Sequence, residues 1–284
     1  MKIKLIKRIF SAVLLVVILL FTVSCTEIIE LELDSSDIRL VVDGIITMDT
    51  SSQIVKLTTS SSYFLNEAPS VVSGALVRVQ SEELLVTFTE LYPESGLYVC
   101  PDGFHGIKGN DYKLFINLAS PVGGKTDYEA ITTMPQTDFS IDSIVLEYQP
   151  VWDFYLINLF ANDPPTTDFY KIDALRNGQI ITDTAYRSSV TDDRFFNGNN
   201  TNGLAAMFLR ADEVMPGDTI TLVLSSITKE YYEFFLELQA ESGQSNPLFS
   251  GPPANISSNI QPGGLGFFSA QSSVRKSLVV NPAK

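Results

Sequence analysis

The 284-residue chain holds one histidine, two cysteines and one tryptophan. That scarcity excludes several chemistries at once. A catalytic triad needs an imidazole or an equivalent base beside its nucleophile. His105, in the glycine-punctuated turn PDGFHGIKG, is the sole imidazole, and no G-x-S-x-G accompanies it. His105 therefore reads as a solvent-facing loop residue. One His and two Cys are too few for a zinc site built from those ligands. P-loop and dinucleotide fingerprints are absent. Gly263-Gly264-Leu265-Gly266 is glycine-rich but carries no lysine. No D-x-D-x-D-G calcium loop is present. Asp163 and the adjacent pair Asp192-Asp193 are the carboxylates that glycoside hydrolysis would need. Neighbouring loop acids are usually just solvated. The expectation is a non-catalytic protein with no cofactor and no resident metal.

Positive charge is also scarce, with 19 Lys and Arg against 33 Asp and Glu. Lys2, Lys4, Lys7 and Arg8 lie in the first 24 positions, where no acid occurs. Without that segment the chain carries 15 basic and 33 acidic residues, a net charge of −18. So negative a body repels nucleic acid and anionic lipid surfaces. Solubility is the plain reading of this charge. A cationic ligand or partner is the sharper one.

What is present begins with the amino end. MKIKLIKR leads into an apolar run, Ile9 to Val23, interrupted only by Ser11 and Thr22. That run is short for a bilayer-spanning helix, which needs about 20 apolar residues, and suits the apolar region of a secretory signal. Thr22-Val23-Ser24-Cys25 resembles a lipobox. Ser24 is small enough for the subsite before the cut, and the Cys25 thiol is the acceptor for diacylglycerol. Thr22 stands where Leu is usual. The alternative is an ordinary signal ending beside a chance cysteine. The expectation is a cleavable signal at 1–24, lipidation at Cys25 and a lipidated, acidic tether over 25–37. Each buried acyl methylene contributes about 0.8 kcal/mol, so a multiply acylated cysteine holds a soluble domain at a bilayer. Cys100 is then left without an intrachain partner, and no disulfide framework is expected.

Tyr, Phe, Val, Ile and Thr are plentiful and favour strands over helices. In the first block, residues 38–135, RLVVDGIIT, QIVKLTT, LLVTFTEL, GLYVC, DYKLFINL and TDYEAITTM are short β-rich runs between turns. SGALVRVQ alternates, with Ala75, Val77 and Val79 on one face and Leu76, Arg78 and Gln80 on the other. Several short strands at this spacing predict a β-sandwich of Ig-like size. Met134 to Asp138 reads as a boundary. The second block, residues 136–284, is predicted to be a mainly antiparallel β domain with one α-helix. FSIDSIVLEYQ, FYLINLFAN, DFYKIDALR, QIITDTAYR, DTITLVLSSI and SVRKSLVV are its strands. Asn177-Gly178 is a strong hairpin signal, because a type I′ turn needs positive φ at both central residues. Tyr231, Phe234, Phe235 and Leu238 recur at helical spacing and predict a helix over about 228–241. Thr228 is its N-cap, and the aromatic stripe reads as core packing. Thr191–Gly203 and Ser245–Gly266 look irregular. Trp152, Tyr155, Tyr186, Phe195 and Phe196 lie at or beside irregular segments. They are the candidate ligand or partner contacts, since aromatic faces stack on sugars and apolar ligands.

Taken in order, LVVDGIIT, SGALVRV, GLYVCPDGFHGIKGNDYKL, TTMP with IDSI, PGDTITLVLSSITKEYYEFFLEL and NPLFSGPPANISSNIQPGGLGFFSA run through nearly the whole mature sequence. In that order and spacing the chain resembles the Bacteroidota lipoproteins catalogued as domain of unknown function 4249. The resemblance implies an outer-membrane or surface lipoprotein, often encoded beside a TonB-dependent transporter. It carries over no catalytic residues. Glu27 and Glu30, soon after Cys25, resemble a surface-export signal, and both the periplasmic and the cell-surface face stay open. The leading expectation is an accessory binding or interaction module, anchored in the bilayer and working beside a TonB-dependent nutrient transporter. The alternatives are a structural envelope lipoprotein with no ligand and, third, an enzyme acting on envelope polymers.

Overall fold

A computed structural model describes residues 38–50, 53–61, 68–82, 84–242 and 256–281. The expected signal, Cys25 and the tether lie outside the described residues, as does the stretch 245–255 of the proline-rich segment. The described chain is all-β with a single α-helix. None of its helices is long and apolar enough to cross a membrane.

Seven strands form the first part: β1 (Leu40–Thr47), β2 (Ile54–Thr59), β3 (Leu76–Ser81), β4 (Leu84–Glu90), β5 (Leu97–Val99), β6 (Asp111–Val122) and β7 (Lys125–Thr133). They hydrogen-bond in the order β1-β2-β5-β4-β3-β6-β7. Each alternates, because successive side chains in a strand point to opposite faces. On β3, Val77 and Val79 are fully buried while Leu76 and Gln80 are exposed, as the sequence pattern requires. The inward faces of the seven strands meet in one apolar core that includes Leu40, Val55, Tyr98, Tyr112, Leu114 and Met134. Cys100 sits at its edge as a buried free thiol, and its sulfur accepts the Gln53 amide at 3.1 Å.

The second part comprises β8 (Ser140–Gln149), β9 (Phe154–Asn162), β10 (Phe169–Arg176), β11 (Gln179–Ile180), β12 (Ser189–Asp192), β13 (Leu204–Arg210), β14 (Thr219–Ile227), α1 (Lys229–Ser242) and β15 (Leu265–Val279). β13, β9 and β8 form a separate three-stranded sheet. Ile157, Leu159, Met207 and Leu209 from that sheet pack on Tyr170, Ile172, Leu222 and Leu224 from β10 and β14, forming a second core. Asn177 and Gly178 take φ of 51° and 82° and close the β10–β11 hairpin as predicted. Helix α1 is capped by Thr228, whose hydroxyl accepts the Tyr231 amide at 3.2 Å. Tyr231, Phe234 and Phe235 are buried against Ile227 and Phe267 in a third cluster. The aromatic stripe is therefore core.

One strand joins these cores. β15 pairs in parallel with β1 through residues 265–271, then antiparallel with β14 through residues 272–279. Phe268 and Ala270 enter the first core, and Val274 and Leu278 pack on the second. Gly266 is what lets β15 lie beside β1. Its φ is +81°, and a Cβ there would fall 2.0 Å from the Val42 carbonyl oxygen. Asn259 ties β15 to the far strand of the first part. Its Nδ2 donates to the carbonyls of Ile131 on β7 (3.1 Å) and Phe268 on β15 (2.8 Å), and its Oδ1 accepts the Phe268 amide at 2.9 Å. The first sheet thus curls round its core until its two ends are bridged.

Three segments differ from the sequence expectation. QIITDTAYR pairs over only two residues, because β12 occupies the next stretch of the same β10 edge. Thr182 and Ser188 instead turn their hydroxyls onto the Asp173 carboxylate, at 2.8 and 2.6 Å. LAAMFLR, which carries no clear alternation because of a bulge between Ala205 and Met207, forms β13. The strand predicted from Ser273 begins at Leu265, so GFFSAQSS is strand and not loop. Ser269, Gln271 and Ser272 within it are buried, Ser272 at 0% and Gln271 at 5% exposure, which no local pattern announces.

Candidate functional site

The five candidate aromatics separate in space. Trp152 sits at the tip of the β8–β9 hairpin and is 68% exposed. Its ring stacks on Phe154, with centroids 5.7 Å apart and planes 6° from parallel. Phe154 in turn meets Phe208 of β13 edge-on at 4.9 Å. Register explains the grouping. Phe208 lies opposite Leu156, and Phe154 opposite Arg210, so Phe154, Leu156 and Phe208 share the outer face of the three-stranded sheet. The inner face is the one carrying Ile157, Leu159 and Leu209. The result is an apolar strip on a sheet face that no other described element covers. Phe154 and Phe208 were not among the sequence candidates. The signal available for Phe154 was its two-residue step from Leu156 on a strand whose other face was also apolar.

Tyr155 and Phe196 are half-buried and pack on the second core, so neither is an open platform. Tyr155 lies 5.1 Å from Tyr148, and Phe196 stacks 6.4 Å from Tyr170. Tyr186 and Phe195 are exposed, Phe195 at 92%, and form no ring pair among the described residues. His105 is exposed, as expected, with Nδ1 3.0 Å from the Gly103 carbonyl.

The acidic residues require a correction. Asp192 and Asp193 read as solvated loop acids, yet Asp193 is 1% exposed. Carboxylate oxygens of Asp163, Asp168 and Asp193 lie within 4.8 Å of one another. The three acids converge as acceptors for hydroxyls and amides from β10 and the segments around it. Asp163 accepts the Tyr170 hydroxyl at 2.6 Å and the Gly198 amide at 3.1 Å. Asp168 accepts the hydroxyls of Thr137 and Thr166, each at 2.6 Å. Asp193 accepts the Asp168 amide at 2.9 Å. Ser226 extends the chain by donating to Thr137 at 3.0 Å. Burial pushes the carboxyls of Asp163 and Asp193 above the ordinary aspartate range. Burial and the Asp163 hydrogen bond push the Tyr170 phenol far up as well. Among the described residues no Lys or Arg forms an ion pair with the three acids. Oxygen donors of this kind suit a hard cation. Asp192 faces a different environment, clamped by Arg194 through Nε at 2.7 Å, which holds its carboxyl low. The two adjacent acids therefore do not share one substrate-facing surface.

No curated protein matches the chain. A family model described as "Domain of unknown function (DUF4249)" matches residues 26–277, and the chain belongs to that family.

Proposed function

We propose that this protein is a Bacteroidota lipoprotein held at the outer membrane through an acylated Cys25. There it acts as an accessory binding and interaction module beside a TonB-dependent nutrient transporter. The observation that carries the reading is the uncovered strip Trp152–Phe154–Phe208. Trp and Phe anchors on a rigid sheet are the residue types that dominate protein interfaces. The Phe154–Phe208 pair is fixed by strand register and the Trp152 ring stacks on it, so little conformational entropy is lost when a partner covers them. The acyl group keeps the module near any membrane partner and raises its effective concentration there.

The test is co-purification of the full-length lipoprotein from membranes in mild detergent. The wild type is expected to recover a TonB-dependent transporter. The double variant Trp152→Ser, Phe208→Ser, at equal membrane abundance, is expected to lose it. Recovery of the wild type without any transporter refutes the reading. Cys25→Ala is expected to shift the protein out of the membrane fraction, and mass spectrometry of the mature amino end checks the acyl group directly.

A further inference from the structure

A concave surface lies on strands that take no part in the aromatic strip. Register places Arg78 of β3 opposite Phe115 of β6, and Phe115 opposite Glu129 of β7. The bridge between Glu129 and Gln261 carries the same row one strand further. Alongside it, Asn117 lies opposite Asp127. All of these are outward positions, since their neighbours Val77, Leu114, Ile116 and Ala130 are buried in the first core. Gln261 and Pro262 form the far wall. Lys125 Nζ holds that wall through the Pro262 carbonyl at 3.0 Å, and Arg39 Nε through the Gly263 carbonyl at 2.9 Å. The groove is open to solvent along one side and has a volume of about 370 Å³, within the ~300–1,000 Å³ typical of small-ligand sites.

We propose that this groove is a binding site for a neutral saccharide. Five of its lining side chains, Arg78, Asn117, Asp127, Glu129 and Gln261, end in planar groups with forked donors or acceptors. Vicinal hydroxyls of a sugar ring both donate and accept, and such forks engage them in pairs. The forks are held in place before any ligand arrives. Arg78 Nη2 donates to Asn117 Oδ1 at 3.3 Å, and Asn117 Nδ2 donates to Asp127. This fixes which way the Asn117 amide faces. Lys113 holds the Glu129 carboxylate at 2.9 Å. Hydrogen bonds from Thr126 and Asn117 keep the Asp127 carboxyl below the usual range, so it remains an acceptor at neutral pH. Gln261 is exposed, and its side-chain amide makes no hydrogen bond among the described residues, leaving both a donor and an acceptor for a ligand.

Charge selects the ligand class. Positive groups, Arg78 and Lys113 with Lys125 and Arg39 at the wall, are interspersed with the carboxylates of Asp127 and Glu129, so neither sign runs unopposed along the groove. An anionic group would meet the two carboxylates, and a cationic one the surrounding cations. Phe115 and Pro262 add apolar surface for the C–H face of a ring. Phe115 is itself steadied by Lys113, 5.0 Å from the ring centroid, and by Arg78 at 6.0 Å.

The experiment is calorimetric titration of the full chain in detergent micelles with maltohexaose, cellohexaose, xylohexaose and mannohexaose. Trigalacturonate and a chitosan trimer serve as anionic and cationic controls. At least one neutral oligosaccharide is expected to bind at millimolar or better affinity, and the charged trimers more weakly. Gln261→Ala and Asn117→Ala are each expected to weaken binding about tenfold. Gln261 is exposed, so its variant is expected to keep the wild-type melting temperature. Trp152→Ser is expected to bind the sugar as the wild type does, which separates this site from the transporter-facing strip. Absence of binding by all four neutral sugars overturns the proposal. So does equal binding of a charged trimer, or an unchanged affinity in Gln261→Ala.

Discussion

The two halves of the molecule bury different things. The curled sheet of β1–β7 hides apolar side chains and keeps every ionised group on its outer face, where Arg78, Lys113, Asp127 and Glu129 stand in rows. Among the described residues, the buried charged side chains are Asp168, Lys171, Asp173 and Asp193, all within one stretch of the second half. Burying an ionised group is costly unless it is paired and hydrogen-bonded. The second half meets that condition for Lys171 and Asp173, an ion pair whose carboxylate also accepts from Thr182 and Ser188. It meets it only with neutral donors for Asp163, Asp168 and Asp193. The core of the first half is thus stabilised by burial of apolar side chains alone, whereas the core of the second half also encloses groups that take up or release protons. A grooved outer face of mixed charge can serve as a ligand surface without cost to the core beneath it. The same cannot be said of the buried acids.

Truncating the strand that serves both halves gives the largest effect. Phe268 is 0% exposed and carries β15 into the first core. Phe268→Ala is expected to cost about 3–5 kcal/mol, read by urea unfolding. Two resolved transitions in place of one cooperative loss would show that the halves unfold separately.

Next comes the buried pair. Lys171→Met leaves the Asp173 carboxylate without its cation and is expected to cost about 3 kcal/mol. The double variant Lys171→Met, Asp173→Leu is expected to recover most of that loss, because the uncompensated charge is gone. A double variant as unstable as the single one would mean that Thr182 and Ser188, and not the charge, dominate there.

The smallest effect is the most specific. Asp163 and Asp193 have raised carboxyl pKa values in the folded state. Their contribution to stability is therefore fully present below the unfolded aspartate value, about 3.9, and is lost as pH rises through the raised folded value. The wild type should lose stability as pH rises above about 4, by a margin that Asp193→Asn reduces. At pH 7 the variant should be at least as stable as the wild type. A variant destabilised at pH 7 would mean that the charge itself is required, as it would be if the three acids held a cation.

Local features were legible because they depend on a few neighbouring residues. The Asn177-Gly178 hairpin follows from backbone sterics, the Thr228 cap from one hydroxyl and one amide, and the inward face of β3 from a period of two. The aromatic strip was half legible. Trp152 was named among five aromatics at or beside irregular segments, but Phe154 and Phe208 join it only through the β9–β13 register. The groove was not legible at all. Its residues come from β3, β6, β7 and the segment before β15, and Gln261 lies more than 180 positions from Arg78. Asp193 misled for the same reason, since its burial depends on Asp168 and on a loop closing over it.

The sequence by itself determined that this chain is all-β with one capped, aromatic-faced helix, because side-chain periodicity, turn chemistry and capping act within a few residues. Only the tertiary structure decided that Ser-, Gln- and Gly-containing residues 265–272 belong to the shared strand, that three aspartates converge, and that a row of polar and charged side chains lines a groove. Those outcomes rest on pairings between distant segments, where hydrogen-bond register and close backbone approach, as at Gly266 against Val42, select one arrangement from many that the local pattern allows.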